Sequence, residues 1–355
     1  MSFLLVKKLR SDIFFIGGFY GKMVEYFIFS GKMIWLPLLL LAGVWCTGVV
    51  YYNLGLSGRW RYAATLAFFL VITGMTVLSL YGKFILALDV AVIEIFIIGY
   101  FLSLTPQKVF SGKQWQPPWR RNAVAVFADQ HRFTLYNIRN FAYNTPDDYE
   151  MNYLDMQFDL REVRFMDLAV SHWDNLQSVA HTMLSFEFAD GRHLAFSVET
   201  RLPEGATQGF IPGMYKQYGL LVIAGTENDL FKLRTNYRKE ELFLYRTTAA
   251  PLESRFILHT LLQAINRHIE HPQFYNSITK NCTTSLAPML RLINPGFTGD
   301  IRLLLNGYSD ELLFELGYLK CRQGETFEEL KRRSRTNQYI YHPGIYSQII
   351  RSGMD

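Results

Sequence analysis

Three cysteines in 355 residues are too few for a disulfide framework. Cys46 lies in an apolar run, which leaves Cys282 and Cys321 as one bridge that an oxidising compartment could form. The chain has no glycine-rich phosphate loop, no internal repeat and no low-complexity tract. His268 and His271 form an HxxH pair, but no third ligand accompanies them, so no metal or other cofactor is expected. A formal net charge of +5 is too mild to argue for nucleic acid. Charge is missing altogether between Lys32 and Arg59, and again from Tyr62 to Gly82.

Those uncharged stretches exceed the roughly 20 residues that cross a bilayer core. They predict spanning helices over 33–56 and 62–82. A third span, 84–106, is similar but holds Asp89 and Glu94, which read either as a polar site in the membrane or as interhelical hydrogen bonding. Residues 1–32 are apolar but broken by Lys22 and Glu25, and lack a small-residue cleavage site. They read as an interfacial amphipathic segment. The charge rule does not orient the spans. Lys7, Lys8, Arg10, Lys22, Lys32 and Lys83 on one side balance Arg59, Arg61, Lys108, Lys113, Arg120 and Arg121 on the other.

What is abundant is hydrophobic and aromatic sequence, 50% and 15% of the chain. Past a linker at 107–121, marked by Pro117-Pro118, residues 122–355 read as one mixed α+β domain. "HTMLSFEFADGRHLAFSVETR" predicts a β-hairpin turning at Asp190-Gly191. Helices are expected over 251–270, 282–293 and 309–319, and in "TFEELKRRSR", which opens on a capping box from Thr326 to Glu329.

Cys282 follows Asn281, a good N-cap, and so sits in a first helical turn. There the positive end of the helix dipole and the free N–H groups favour a thiolate, the nucleophilic form. The backbone N–H groups of Cys282 and Thr283 could hold an oxyanion. On spacing alone a packed thiol is the plainer reading. Of the eight histidines, His181 on a strand is best placed to serve as the base. Glu199 is the carboxylate that could orient it. A two-residue turn at 190–191 would pair 181 with 200 and turn Glu199 away; a bulge or a three-residue loop would bring it back. Arg139 and Arg234 stand among strands, either as anion-binding groups or as structural ion pairs.

"NIRNFAY", "HTMLSFEFADGRHLAFSVETR", "LRTNYRKEELFLY", "FYNSITKNCTTSL" and "GYSDELLFELGYL", in this order across 115–352, resemble the Lnb N-terminal periplasmic domain family. The resemblance implies a bacterial periplasmic thiol-enzyme domain of papain/NlpC style, permuted so that the histidine precedes the cysteine. It implies Cys282 as nucleophile, His181 as base and Glu199 as third member; Arg234, Arg139 and Asn281 stand beside them as candidate substrate contacts. It also settles the orientation: a multi-pass inner-membrane anchor with the large domain in the periplasm. The expected activity is a cysteine acyltransferase that moves an acyl chain from membrane phospholipid through a thioester to an amine, such as the terminal cysteine of a lipoprotein. The alternatives are a thiol hydrolase (peptidase, amidase or lipase) or a non-catalytic envelope assembly protein. The family's namesake carries its spans after the domain, whereas here they come before it.

Overall fold

The computed structural model describes residues 35–81, 84–173, 178–293, 300, 302 and 306–354. The expected interfacial segment, 1–32, lies outside them. The chain divides after Leu104 into two units.

In the first unit three helices are long and apolar enough to cross a membrane: α1 (Trp35–Asn53), α2 (Gly58–Ser79) and α3 (Phe84–Ser103). At 1.5 Å per residue each reaches about 30 Å, the thickness of a hydrocarbon core. The second begins four residues earlier than the sequence suggests, and Arg61 closes its first turn by donating Nε–H to the Leu56 carbonyl at 2.9 Å. Glu94 is buried against Gly43, where a side chain would also meet Ile72, so the three helices meet at that glycine. Glu94 Oε1 has no hydrogen-bond partner among the described residues, and Asp89 is exposed.

The second unit opens with α4 (Pro106–Val109) and a segment expected to be a free linker. That segment is instead tied to the domain. The Arg201 guanidinium lies over the Trp115 ring at 4.5 Å and donates to the carbonyls of Trp119 and Arg120 at 2.8 and 2.7 Å. The Trp115 ring and the backbone carbonyls after Pro117-Pro118 make these contacts, which a reading of the prolines alone does not reveal.

An eight-stranded sheet forms the body of this unit. Its strands are β1 (Val124–Phe127), β2 (Arg132–Arg139), β5 (Tyr153–Asp159), β6 (Val163–His172), β7 (Ala180–Phe188), β8 (His193–Arg201), β9 (Gly219–Gly225) and β10 (Glu241–Arg246). A small separate pair is made by β3 (Ala142–Tyr143) and β4 (Tyr149–Glu150). The sheet order is β1-β2-β9-β8-β7-β6-β10, with β5 paired to β2. Side chains alternate between faces along a strand. Leu184, Phe186, Leu194, Phe196 and Val198 build the large apolar core on one face. Against it lie α7 (Pro251–Glu270) and α8 (Cys282–Ile293). The first of these helices buries Ile257, Leu258, Leu261, Leu262 and Ile265 at the i, i+3/i+4 spacing of an amphipathic helix.

The other face carries Ala195, Met183 and a layer of buried charge. It is covered by α6 (Glu227–Lys232), with α5 (Phe210–Met214) earlier in the chain. Three further helices complete the unit: α9 (Ser309–Glu315), α10 (Phe327–Ser334) and α11 (Tyr346–Ile349). Arg351, just past the last of these, reaches Asp167 and Glu227 at 2.9 and 2.6 Å. The capping box from Thr326 to Glu329 is present as expected.

Candidate active site

The hairpin loop decides which side chains meet. Phe188 N–H donates to the Arg192 carbonyl at 2.9 Å, and Gly191 N–H to the Phe188 carbonyl at 3.0 Å. The loop is therefore Ala189-Asp190-Gly191, with Gly191 at φ +82°, a backbone that glycine adopts without steric cost. Glu187 pairs with His193 and Met183 with Ser197. The register that a two-residue turn would impose is thus corrected by one residue. In the observed register, 181 lies opposite 199, and Glu199 shares a face with His181.

On that face a chain of polar groups runs along β7 and β8. His181 Nε2 is 2.6 Å from Ser197 Oγ and 3.3 Å from Glu199 Oε1. The Ser197 hydroxyl donates to Glu199 Oε1 at 2.6 Å. Arg234 Nη2 donates to the same carboxylate at 3.2 Å, and its Nη1 to the Leu230 carbonyl at 3.1 Å. Arg234 sits on a π-helical turn, Leu233–Tyr237, closed by an Arg238 N–H to Leu233 carbonyl bond of i to i+5 spacing. The extra residue in that turn places the guanidinium beneath Glu199. Arg234 therefore reaches the site through Glu199.

Cys282 opens the helix that packs on the opposite face. Asn276 Oδ1 accepts from the N–H groups of Ile278 and Thr279 at 3.0 and 2.9 Å, which sets the approaching loop. Asn281 Oδ1 accepts from Thr283 and Thr284 at 3.1 and 3.0 Å, and Thr284 Oγ1 accepts from the Asn281 N–H at 2.8 Å. This is a reciprocal N-cap. Two expectations are corrected by it. Asn281 is spent as the cap, not as a substrate contact, and the Thr283 N–H is engaged by that cap, not free for an oxyanion. The Cys282 N–H remains at the helix mouth.

Cys282 is 5% exposed. Its Sγ lies 3.9 Å from the Ala180 carbonyl oxygen, 3.8 Å from Thr283 Oγ1 and 3.5 Å from Asn306 Nδ2. The His181 charge is near enough to favour the thiolate. The imidazole Nε2 is held by Ser197 and Glu199, which fixes the ring at the end of β7. Burial disfavours the thiolate, but the His181 charge and hydrogen bond, the Thr182 N–H and the Thr283 hydroxyl outweigh it. The thiol falls from 9.0 to about 7. Burial and the Arg234 charge oppose the imidazolium, while Glu199 and Cys282 favour it and raise His181 to about 9. Burial likewise opposes the Glu199 carboxylate, yet His181, Arg234 and Ser197 hold it well below the usual carboxylate range. Each group thus favours the charged form of the other, toward a thiolate–imidazolium pair.

Sequence reasoning missed two members. Ser197 lies two residues before Glu199 on one strand, so strand periodicity could have found it. Asn306, in "LNGYSD", reads as a turn and gave no signal. Its Oδ1 accepts from the Ala180 N–H at 2.9 Å, which fixes the amide so that Nδ2–H points at the sulfur. Arg139 is not at the site. It is 5% exposed and makes both arms of an ion pair with Asp229, at 2.9 and 2.8 Å. Asp229 also accepts from the Phe141 N–H and the Tyr143 hydroxyl at 2.8 and 3.0 Å. The structure thus gives Arg139, expected as a substrate contact, a buried structural partner instead. Cys46, Cys282 and Cys321 are all free thiols, so the conceivable Cys282–Cys321 bridge is not formed.

Residues 149–307 match the family model of the Lnb N-terminal periplasmic domain. This part of the chain belongs to that family. The match takes in His181, Ser197, Glu199, Arg234, Cys282 and Asn306, and leaves out Arg139 and the three apolar helices. No curated protein and no solved structure matches the chain. The Lnb domain and the helices together describe a membrane-anchored envelope protein with a periplasmic domain.

Proposed function

We propose that this Lnb domain is a cysteine acyltransferase, and the observation that carries the reading is Cys282 at a capped helix start beside the His181–Ser197–Glu199 chain, with the Asn306 amide on its sulfur. The thiolate attacks the carbonyl carbon of a phospholipid ester, and a C–S bond forms. The carbonyl oxygen becomes an oxyanion, which Asn306 Nδ2–H and the Cys282 N–H are placed to receive. As the intermediate collapses, the ester C–O bond breaks and the imidazolium gives its proton to the departing alkoxide. A thioester at Cys282 and a lysophospholipid result. An amine, such as the terminal amine of a lipoprotein, then attacks the thioester. Neutral His181 takes the amine proton, the C–S bond breaks and the thiolate–imidazolium pair returns. Ser197, Glu199 and Arg234 are positioning residues: they hold the imidazole and support its charge. Cys282 and His181 are each 5% exposed, which favours transfer over loss of the acyl group to water.

The test uses the full chain in phospholipid nanodiscs. Mass analysis of the intact protein should find an acyl group on Cys282, transferable to an added diacylglyceryl peptide amine. Cys282→Ala and His181→Ala should each abolish it. Release of the acyl group only as free fatty acid in the presence of that amine would make the protein a hydrolase. Absence of the adduct under turnover would end the acyltransferase reading.

A further inference from the structure

Behind the helix mouth lies a cavity of about 270 Å³ that the proposed chemistry does not itself require. Its walls come from β6 and β7 on one side and from α7, α8 and α9 on the other. Leu168, Leu184, Ile257, Leu286 and Leu313 line its interior, and Ala287 closes one wall. Its polar lining is sparse: four threonines, Glu253 and Ser309, whose hydroxyl is spent on the Asn306 carbonyl at 2.7 Å. At the inner end are Thr182 and Thr283, whose hydroxyls pair at 2.9 Å, and Thr283 Oγ1 is 3.8 Å from the Cys282 sulfur. At the outer end are Thr247, Thr248, Glu253 and Gly317, of which Thr248 and Gly317 are exposed. The cavity therefore runs from the domain surface to the residue beside the nucleophile. The side chains next in sequence to its outer lining, Leu252 and Leu316, are exposed and apolar.

We infer that this cavity binds a single unbranched acyl chain, with its carboxyl end at Cys282 and its tail toward Thr248 and Gly317. The inference deepens the acyltransferase reading and rests on it for the identity of the ligand. A dry apolar cavity of about 150 Å³ takes the six carbons of benzene, so about 270 Å³ takes about ten carbons of a chain. Longer chains extend past the exposed outer end. Peptide substrates do not suit these walls: a backbone inside would find few acceptors and donors, and each unpaired peptide group would oppose binding. The site therefore selects for chain length up to the cavity's capacity, and not beyond it.

A reagent that modifies thiols without acyl chemistry separates this inference from the reading beneath it. In alkyl methanethiosulfonates the thiolate attacks the sulfenyl sulfur, a disulfide forms, and methanesulfinate leaves. Cys321, exposed and free in the same chain, reports the intrinsic reactivity and membrane partitioning of each reagent. With the full chain in nanodiscs, the rate ratio of Cys282 to Cys321 should rise by about 4-fold for each added methylene, the value of full burial, and level off near ten carbons. Ala287→Phe, which fills the wall, should bring the plateau to shorter chains. Thr248→Trp, at the exposed end where folding is not at stake, should lower the ratio for a decyl reagent at least about 10-fold. A ratio that changes less than about 2-fold from ethyl to decyl in the unaltered protein, or a decyl ratio untouched by Thr248→Trp, overturns the inference. A full chain-length response with no acyl adduct from any phospholipid or ester would leave the cavity assignment standing and remove the transferase.

Discussion

The thiol of Cys282 should titrate near neutrality, and the cause should be traceable to His181. A fall from 9.0 to about 7 corresponds to about 2.7 kcal/mol in favour of the thiolate. At pH 7 about half the molecules then carry the nucleophile, against about 1% for an ordinary thiol, a difference of about 50-fold. The direction of this effect is set by geometry. Burial pushes the thiol up, and the facing imidazolium provides most of the opposing pull. In His181→Gln the burial remains while that charge is gone, so the thiol returns to or above 9.0 and the pH 7 alkylation rate drops at least about 50-fold. Iodoacetamide labelling of the full chain between about pH 5 and pH 10, read by peptide mass with Cys321 as the exposed reference, measures both quantities. Transfer should show a bell. It rises as the thiolate forms near 7, and falls as His181 loses its proton near 9 and can no longer protonate the leaving alkoxide. Glu199→Gln removes the charge that most favours the imidazolium, so the falling limb should move to lower pH while the protein stays folded. A wild-type midpoint at 9 or above, or a His181→Gln rate at pH 7 within about 3-fold of wild type, would refute the ion-pair argument.

Asn306→Ala should reduce acyl transfer by about 10²–10³-fold, the usual loss for one oxyanion donor, while Cys282 still alkylates within a few-fold of wild type at pH 8. Equal losses in both assays would mean that Asn306 only supports the Ala180 backbone. Asp229→Ala leaves the Arg139 guanidinium buried without its partner and should cost about 3–5 kcal/mol, seen as a lower melting temperature of the solubilised protein. A cost under about 1 kcal/mol would contradict the structural role given to that pair.

The parts of the site that were legible in the sequence are those governed by local rules. Asn281 before Cys282 announced a helix start, and the capped helix is there. The alternation in "HTMLSFEF" and "HLAFSVET" announced two paired strands, and they form. What was not legible depends on a single conformational choice or on partners distant in the chain. One glycine at positive φ lengthens the hairpin loop and decides whether Glu199 meets His181. Arg139 and Arg234 look alike as isolated arginines among strands, but Asp229, 90 residues away, pairs with the first, while Glu199 draws the second to the site. Asn306 arrives from beyond the nucleophile helix and is recognisable only once the Ala180 N–H has fixed its amide.

In the proposed reaction, strand β7 would let one sulfur serve two incompatible environments. Adjacent residues on a strand face opposite ways. His181 points to the face of buried charge, with Ser197, Glu199 and Arg234, and Thr182 points to the apolar face, with Leu168, Leu184 and the cavity. Between these side chains only backbone remains, and the sulfur sits against it, near the Ala180 carbonyl and the Thr182 N–H. A proton shuttle requires charges that an acyl chain would desolvate at a cost of several kcal/mol each. An acyl chain requires a dry wall that a charged cluster would flood. Placing the nucleophile at the edge of one strand lets the pleat keep the two apart. Swapping the side chains at 181 and 182 would therefore do more than remove the base. It would put an imidazole into the cavity and a threonine among the charges, and both acyl binding and thiolate formation should be lost together.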